Sequence, residues 1–405
     1  MTSNEEMNKV RKTNHSGNPL PSQVKRLGLV SLFNDFASEM VVPLLPAFVT
    51  TVLGLGPQVL GIMEGIAESA TSILKYFAGW WSDRIARRKP LAVSGYAVAN
   101  LVRPLMAFAT AGWQLVVIRF ADRVGKGMRT APRDALLAEA TDADQRGRAF
   151  GFHRAMDHAG ALIGPVVALA LLGWLHMDLS TVFLLSAVPG VAAILSMLML
   201  VKEQAPRQCE GESVQMRECV TDRRDFHVFI SASVLFTLGN SSDTFLVLRG
   251  HELGLPVVLA PVFWIVLHFS KAATATHGGM LSDRIGRKKT IFLGWVLYAG
   301  CYLGFAAASA LWQLFALLLL YGLSYGLTEG TEKALVADII RPDRRGRGYG
   351  VYHLAVGAAA LPASVLTGML WQAYGPRVAL GIGAGLALAA AWTLLLGFRG
   401  ARSQG

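Results

Sequence analysis

Asp35 and Glu39 stand one helical turn apart in an otherwise apolar stretch, just before Pro43, and Glu64 and Glu68 repeat that spacing in the next stretch. Asp243 lies at a place in the second half of the chain that roughly matches Glu39. A carboxylate enclosed in low dielectric takes up a proton more readily than one in water. These five acids are therefore candidates for loading a proton on one side of a membrane and releasing it on the other. The competing reading of each is a fixed salt bridge. Arg119, Arg123 and Lys126 are spaced four and three apart, on one face of a predicted helix. At 1.5 Å per residue, Arg123 lies roughly 15 Å in from the end of that helix, near a bilayer centre. A guanidinium at that depth faces water, a substrate or a carboxylate, never lipid. The three cations form a candidate anion-binding or proton-coupling cluster, or else a permanent internal ion-pair network. Asp122 adjoins Arg123 and does not share its face, so partners are expected from the first two apolar stretches.

The elements that carry these charges are hydrocarbon-length spans. Of the 405 residues, 53% are hydrophobic and only 16% charged, against about a quarter charged in soluble domains. Apolar stretches of about 20 residues, enough to cross a bilayer, are expected at 27–52, 58–81, 90–110, 112–136, 148–174 and 179–201. After a polar linker they resume at 226–249, 255–281, 290–309, 311–334, 348–373 and 377–398. The resulting division is a tail (1–25), a six-helix bundle (26–201), a linker (202–225), a second bundle (226–399) and a tail (400–405).

Lys and Arg fix the orientation. The links after spans 2, 4, 8 and 10 and both tails are basic, whereas the alternate links hold only Arg249 and Arg377. Both termini and the central linker are thus expected in the cytoplasm, which requires an even number of spans. Trp113 and Trp312 sit at span ends, as in an interfacial belt. The formal charge of +11 follows from these links, so no nucleic-acid partner is expected. Cys209, Cys219 and Cys301 form neither a disulfide framework nor a ligand cluster. His153, His158, His268, His277 and His353 show no metal-ligand spacing, so no metal is expected and each histidine reads as a satisfied interior group. There is no phosphate-binding glycine loop, no cofactor is expected, and the chain is not read as an enzyme. The segment up to Gln23 is polar and lacks a leader's apolar core, so the first span is expected to be retained.

The halves repeat. Residues 79–89 read GWWSDRIARRK and residues 279–289 read GMLSDRIGRKK. Gly127, Ala135, Arg146, Gly147, Arg148 and Gly151 recur as Gly326, Ala334, Arg345, Gly346, Arg347 and Gly350. Such an offset implies a pseudo-twofold axis along the membrane normal, with a pathway between the halves. Span 4 breaks the repeat, because Tyr321, Gly322 and Tyr325 replace its cations in span 10. Thr130, Arg133 and Asp134 correspond to Glu329, Glu332 and Lys333, an acid–base swap that permits ion pairs between halves at a gate.

The G-x-x-x-D-R-x-G-R-K/R pattern after the second span of each half resembles the loop signature of the major facilitator superfamily. Ala86 stands where the first copy ordinarily has glycine, so a less sharp turn is expected there. Gly160, Gly164 and Pro165 resemble the superfamily's antiporter-associated motif, although helix packing alone also explains paired small residues. NDFASEMVVPLLP in span 1 and GKGMRTAPRDALL in span 4 are similar to a bacterial subgroup of efflux transporters. The resemblance implies an all-α membrane protein of twelve transmembrane helices in two pseudosymmetric six-helix bundles, with a central cavity and alternating access. It further implies that Asp83 meets the start of span 11 and Asp283 the start of span 5. Arg84, Arg87, Arg284 and Arg287 would complete a cytoplasmic gate beside them.

The resulting expectation is a monomeric secondary transporter of the bacterial inner membrane. It would use protons to export a small organic compound, with an anion as one reading of the substrate. Uptake of an anionic metabolite is the alternative, and a transporter-like sensor without flux the second.

Overall fold

The computed structural model describes residues 19–54, 58–203, 223–256 and 260–397. The outer tails, most of the linker expected at 202–225, and with it Cys209 and Cys219, lie outside the described residues. So do the side chains of Glu64 and Glu68.

Every described element is helical. The first span, α1, is Ser22–Glu39 and continues through short 3-10 and π turns to Val52, the change of pitch coming at Pro43. It is followed by α2 (Gln58–Ile85), α3 (Lys89–Val102, prolonged to Phe108), α4 (Gly112–Glu139), α5 (Arg146–Gly173) and α6 (Leu179–Leu185 with Ala187–Met199). The second half holds α7 (Arg223–Gly239 with Thr244–Glu252), α8 (Ala260–Ile285), α9 (Arg287–Ala307), α10 (Leu311–Ile339), α11 (Arg345–Tyr374) and α12 (Pro376–Gly397).

Eight of these twelve are long and apolar enough on composition alone to cross a bilayer. The other four are α2, α4, α7 and α8. They include the charge-bearing α4 and the interrupted α7, whose place in the bilayer comes from the packing around them. Leucine, valine and phenylalanine side chains, with Trp113 (68% exposed) and Trp312 (71%), cover the outer surface. An exposed apolar surface of this extent needs lipid rather than water against it.

Within the halves, α1 packs on α5, α2 on α4, α8 on α10 and α9 on α12. Between the halves, α5 lies along α8 and α2 along α11. At the closest crossings, Gly79 faces the carbonyl of Gly346, and Gly279 that of Gly147. No side chain fits there, which is what glycine contributes to a helix crossing. Gly160 and Gly164 do the same on the α1 side, against the backbone of Leu32, Phe36 and Glu39. The small-residue motif of α5 thus seats α1, the helix that bears Asp35 and Glu39.

The start of α1, the end of α6 and the α2–α3 turn share one end. Gln23 exchanges hydrogen bonds with Lys202 (2.6 and 3.2 Å), and Glu203 accepts from the backbone N–H groups of Arg88 and Lys89 (3.0 and 2.9 Å). The basic links lie at this basic end.

The two repeat turns differ there. Gly286 alone separates α8 from α9, at φ 96°, whereas three residues separate α2 from α3, with Ala86 at φ 50°. A left-handed alanine costs about 1–2 kcal/mol, partly offset by its lower entropy when unfolded. Ala86→Gly should therefore raise stability by about 0.5–1 kcal/mol, read as a higher thermal unfolding midpoint in detergent. A lower midpoint would contradict the strained turn.

Candidate functional site

A cavity of about 480 Å³ lies between the halves. From the first half it is lined by Asp35, Glu39, Lys75, Arg123, Lys126 and Arg154, among others, and from the second by Phe236, Asn240, Tyr325, Glu329, Glu332 and His353. Of the expected proton carriers, Asp35 and Glu39 line it directly. Asp35 accepts a hydrogen bond from Asn34 (2.8 Å), and the fields of Asp35, Arg123, Lys126 and Arg103 reach Glu39.

Asp243 is not among the lining residues. It stands just before the second piece of α7, accepts from Tyr321 Oη at 2.7 Å and faces Lys271 Nζ at 3.4 Å. Lys271 also sits 3.7 Å from the ring centroid of Tyr325, a cation–π contact that holds the ring at the cavity wall.

The cation cluster of α4 divides. Arg123 and Lys126 face the cavity, whereas Arg119 turns away and pairs with Asp122 at 3.1 Å. Arg119 thus takes its acid from its own helix, whereas the field of Arg123 reaches Glu39 of span 1. Positions three apart are neighbours on a helix, and Arg103 at the end of α3 completes the group by pairing with Asp122 at 2.7 Å.

Toward the basic end, ion pairs cross between the halves. Asp134 receives Arg133 from its own helix (2.9 Å), and Lys333 (3.2 Å) and His353 (2.9 Å) from the other half. Arg154 of α5 joins Glu329 of α10 at 2.8 Å, and also Asp157 at 2.7 Å. His158 bridges Glu329 (3.0 Å) and His268 (3.2 Å). Glu332 does not pair with Arg133 as the swapped order suggests. Its side chain points back into its own half, to Trp295 and Tyr352. The i, i+1 neighbours Glu332 and Lys333 leave a helix in different directions, so only one of them reaches across.

Beyond this layer lie two matched clasps. Asp83 accepts from the backbone N–H groups of Gly346 (2.9 Å) and Arg347 (2.6 Å) at the start of α11. Asp283 accepts from those of Gly147 (2.9 Å) and Arg148 (2.8 Å) at the start of α5. An unpaired pair of N–H groups at a helix N-terminus suits a carboxylate in charge and geometry. In the second clasp Arg287 pairs with Asp283, and also with Asp338 at 3.0 Å, while Arg146 reaches Asp338 at 2.8 Å.

In the first clasp the corresponding arginine is Arg88, which is fully buried. It bonds Asp83 (3.1 Å), Glu139 and the Pro342 carbonyl (3.1 Å). Arg84, Arg87 and Arg284 are exposed instead, with Arg84 over the ring of Trp80. The reason is the longer turn at Ala86, which carries the guanidinium one residue further along the chain. Sequence reasoning also passed over Arg103, Arg154, Asp157, Glu139, Lys271 and Asp338. A signal existed for each of the interior ones: a charge inside a hydrocarbon-length helix is costly and therefore placed for a reason.

Two halves meeting at pseudosymmetric Asp–backbone clasps below a polar cavity are a transporter's arrangement. The family model described as Major Facilitator Superfamily matches residues 27–272 and 265–404. The chain belongs to that superfamily. It is 31% identical over 370 residues to an uncharacterized MFS-type transporter of Methanocaldococcus jannaschii, covering 90% of this chain and 92% of the relative. It is 25% identical over 349 residues to the multidrug resistance protein MdtH of Photorhabdus laumondii subsp. laumondii, with 84% and 86% covered. Among solved structures it superposes on the human organic anion transporter MFSD10 with a TM-score of 0.75 at 16% identity, over 93% of this chain and 100% of that one. The protein is thus an MFS transporter, a multi-pass membrane protein of a family and fold that are not enzymatic.

Proposed function

We propose that the protein exports a small organic compound across a bacterial inner membrane by alternating access, driven by protons moving inward, and that it does so as a monomer with both termini in the cytoplasm. The observation that carries this reading is the charged central cavity, bounded toward the basic end by the Asp134 layer and the two clasps. Asp83 and Asp283 act as gate carboxylates: they hold the cytoplasmic end shut and leave the helix starts when that end opens. Asp35 and Glu39 take protons in the outward-facing state, and the neighbouring Arg123 and Lys126 favour their ionised form. Export by exchange requires the compound to occupy the cavity while Asp35 and Glu39 are ionised. An anion that drew Arg123 and Lys126 away would instead shift the acids toward protonation, which is the sign of co-transport and belongs to the uptake reading. Similarity to a multidrug resistance protein supports export over uptake. Uptake of an anionic metabolite is the second reading, favoured by Arg123 and Lys126 on the cavity wall.

Purified protein in sealed vesicles with an imposed pH gradient separates these readings. Asp35→Asn and Glu39→Gln should each lower gradient-driven flux roughly tenfold or more while substrate binding survives. If Arg123→Gln abolishes binding of anions alone, and flux runs down the substrate gradient without protons, uptake is the better account. Absence of flux across a broad panel of organic cations and anions would favour a sensor.

A further inference from the structure

Glu332 stands apart from its neighbours on α10. Glu329, nearly one turn earlier, pairs with Arg154 and His158 of the first half, and Lys333 pairs with Asp134. Glu332 takes no cation at ion-pair distance among the described residues. Its Oε1 accepts from Trp295 Nε1 of α9 at 3.0 Å and its Oε2 from Tyr352 Oη of α11 at 2.6 Å. Glu329 of its own helix and Arg154 of α5 are the charged groups that act on it most, and Arg133, Asp157 and Lys333 line the same cavity. Glu332 is 9% exposed as a residue and is among those lining the central cavity, which gives water and protons a route to its side chain.

Its two donors are held by stacking. Trp295 lies against Phe236 with ring centroids 4.8 Å apart and planes 11° from parallel, and Tyr352 lies against Phe229 at 5.8 Å and 13°. Phe236 itself lines the cavity. A molecule occupying the cavity therefore touches a ring that backs directly onto the indole whose N–H holds Glu332.

We propose that Glu332 binds and releases one proton in each transport cycle, and that substrate controls this step through the Phe236–Trp295 stack. The proposal rests on the proton-coupled reading above and adds a proton site in the second half to Asp35 and Glu39 in the first. In the outward-facing state a hydronium ion in the cavity gives its proton to a Glu332 oxygen, leaving water and a neutral acid. In the inward-facing state the acid returns the proton to water. A substrate seated on Phe236 holds the indole N–H against the carboxylate and favours the anion, so substrate and proton exclude one another. That is the sign an exchange of proton for substrate requires.

The test is infrared difference spectroscopy of the full-length protein in detergent, without substrate, across a pH titration. A protonated-carboxyl band that vanishes as pH rises should be lost in Glu332→Gln, present at a shifted frequency in Glu332→Asp, and retained in the double variant Asp35→Asn with Glu39→Gln. Trp295→Phe, lacking the donor to the anion, should move the disappearance of the band to higher pH, which a purely packing role would not do. A spectrum of Glu332→Gln identical to that of the unaltered protein overturns the proposal even where a pH gradient drives flux. A band that depends on Glu332 without gradient-driven flux overturns the coupled-export reading instead and leaves the proton site standing.

Discussion

Gly279→Val should prevent the basic end from closing. The β-carbon of residue 279 would lie on the carbonyl oxygen of Gly147 and 3.2 Å from the Cα of Arg148. Those are backbone atoms of a packed helix and cannot swing aside as a flexible side chain would. Overpacking costs typically about 1–3 kcal/mol, and a backbone neighbour puts this site at the upper end. Since each 1.4 kcal/mol is tenfold, the closed state should lose roughly a hundredfold in population. It would also lose the Asp283 clasp, whose acceptor geometry depends on α5 and α8 meeting at that point. Spin labels on Arg284→Cys in the last turn of α8 and Asp144→Cys of the α4–α5 link should report a longer distance than in the protein with glycine at 279. An unchanged distance would mean that the crossing is looser than the glycine pair indicates. Gly79→Val should act in the same way on the α2–α11 side, where the carbonyl of Gly346 is the obstacle.

Asp134→Asn is the second large effect. Arg133, Lys333 and His353 converge on this carboxylate, whose side chain is wholly enclosed. Removing its charge leaves Arg133 and Lys333 without their shared carboxylate in low dielectric. Breaking one side of a buried pair costs about 3–5 kcal/mol, because the partner's charge stays uncompensated. The variant should lose much of its monodisperse fraction in detergent and melt well below the unaltered protein. Lys333→Met in the same chain should recover part of the loss, because Arg133 then faces one cation fewer. Failure of the second substitution to recover anything would place the damage in the lost His353 contact instead.

These effects show which parts of the architecture were open to sequence reasoning. The fold was legible because hydrophobic length and basic links report the bilayer directly, and because GWWSDRIARRK and GMLSDRIGRKK are two copies of one device. As far as the described residues go, ten of the twelve helices start within three residues of the expected position. The α1 helix starts earlier because a basic segment is already wound into helix, and the residues just before Ala260 of α8 lie outside the described ones. The aspartate ends of the clasps were legible through the resemblance to the superfamily's loop signature, which implies that Asp83 meets the start of span 11 and Asp283 that of span 5. Each contact needs only the backbone N–H groups of the facing helix start.

The arginine ends were not. Whether residue 87 or 88 reaches Asp83 depends on the extra residues in the Ala86 turn, a conformational fact that charge spacing does not contain. Arg119 illustrates a different loss. Its partner was in plain view at Asp122, but the decisive cation, Arg103, comes from the end of α3, where the helix tightens before the next link. Glu332 illustrates a third. Sequence places it beside Lys333 and suggests a shared gate, whereas one residue on a helix is a rotation of about 100°. That rotation sends lysine across to Asp134 and glutamate back to Trp295 and Tyr352.

The claim on which the rest stands is that the interior charges border a water-filled cleft that opens to one side at a time. Ser38→Cys, on the cavity wall beside Glu39, measures this in a chain whose native cysteines are replaced by serine. With both clasps closed, a charged, membrane-impermeant thiol reagent should modify residue 38 from the side opposite the basic end and not from the basic side. Adding Gly279→Val should admit the reagent from the basic side. Reaction from neither face, with labelling only by lipid-soluble reagents, would place α1 and its carboxylates outside any aqueous pathway and contradict alternating access through this cavity.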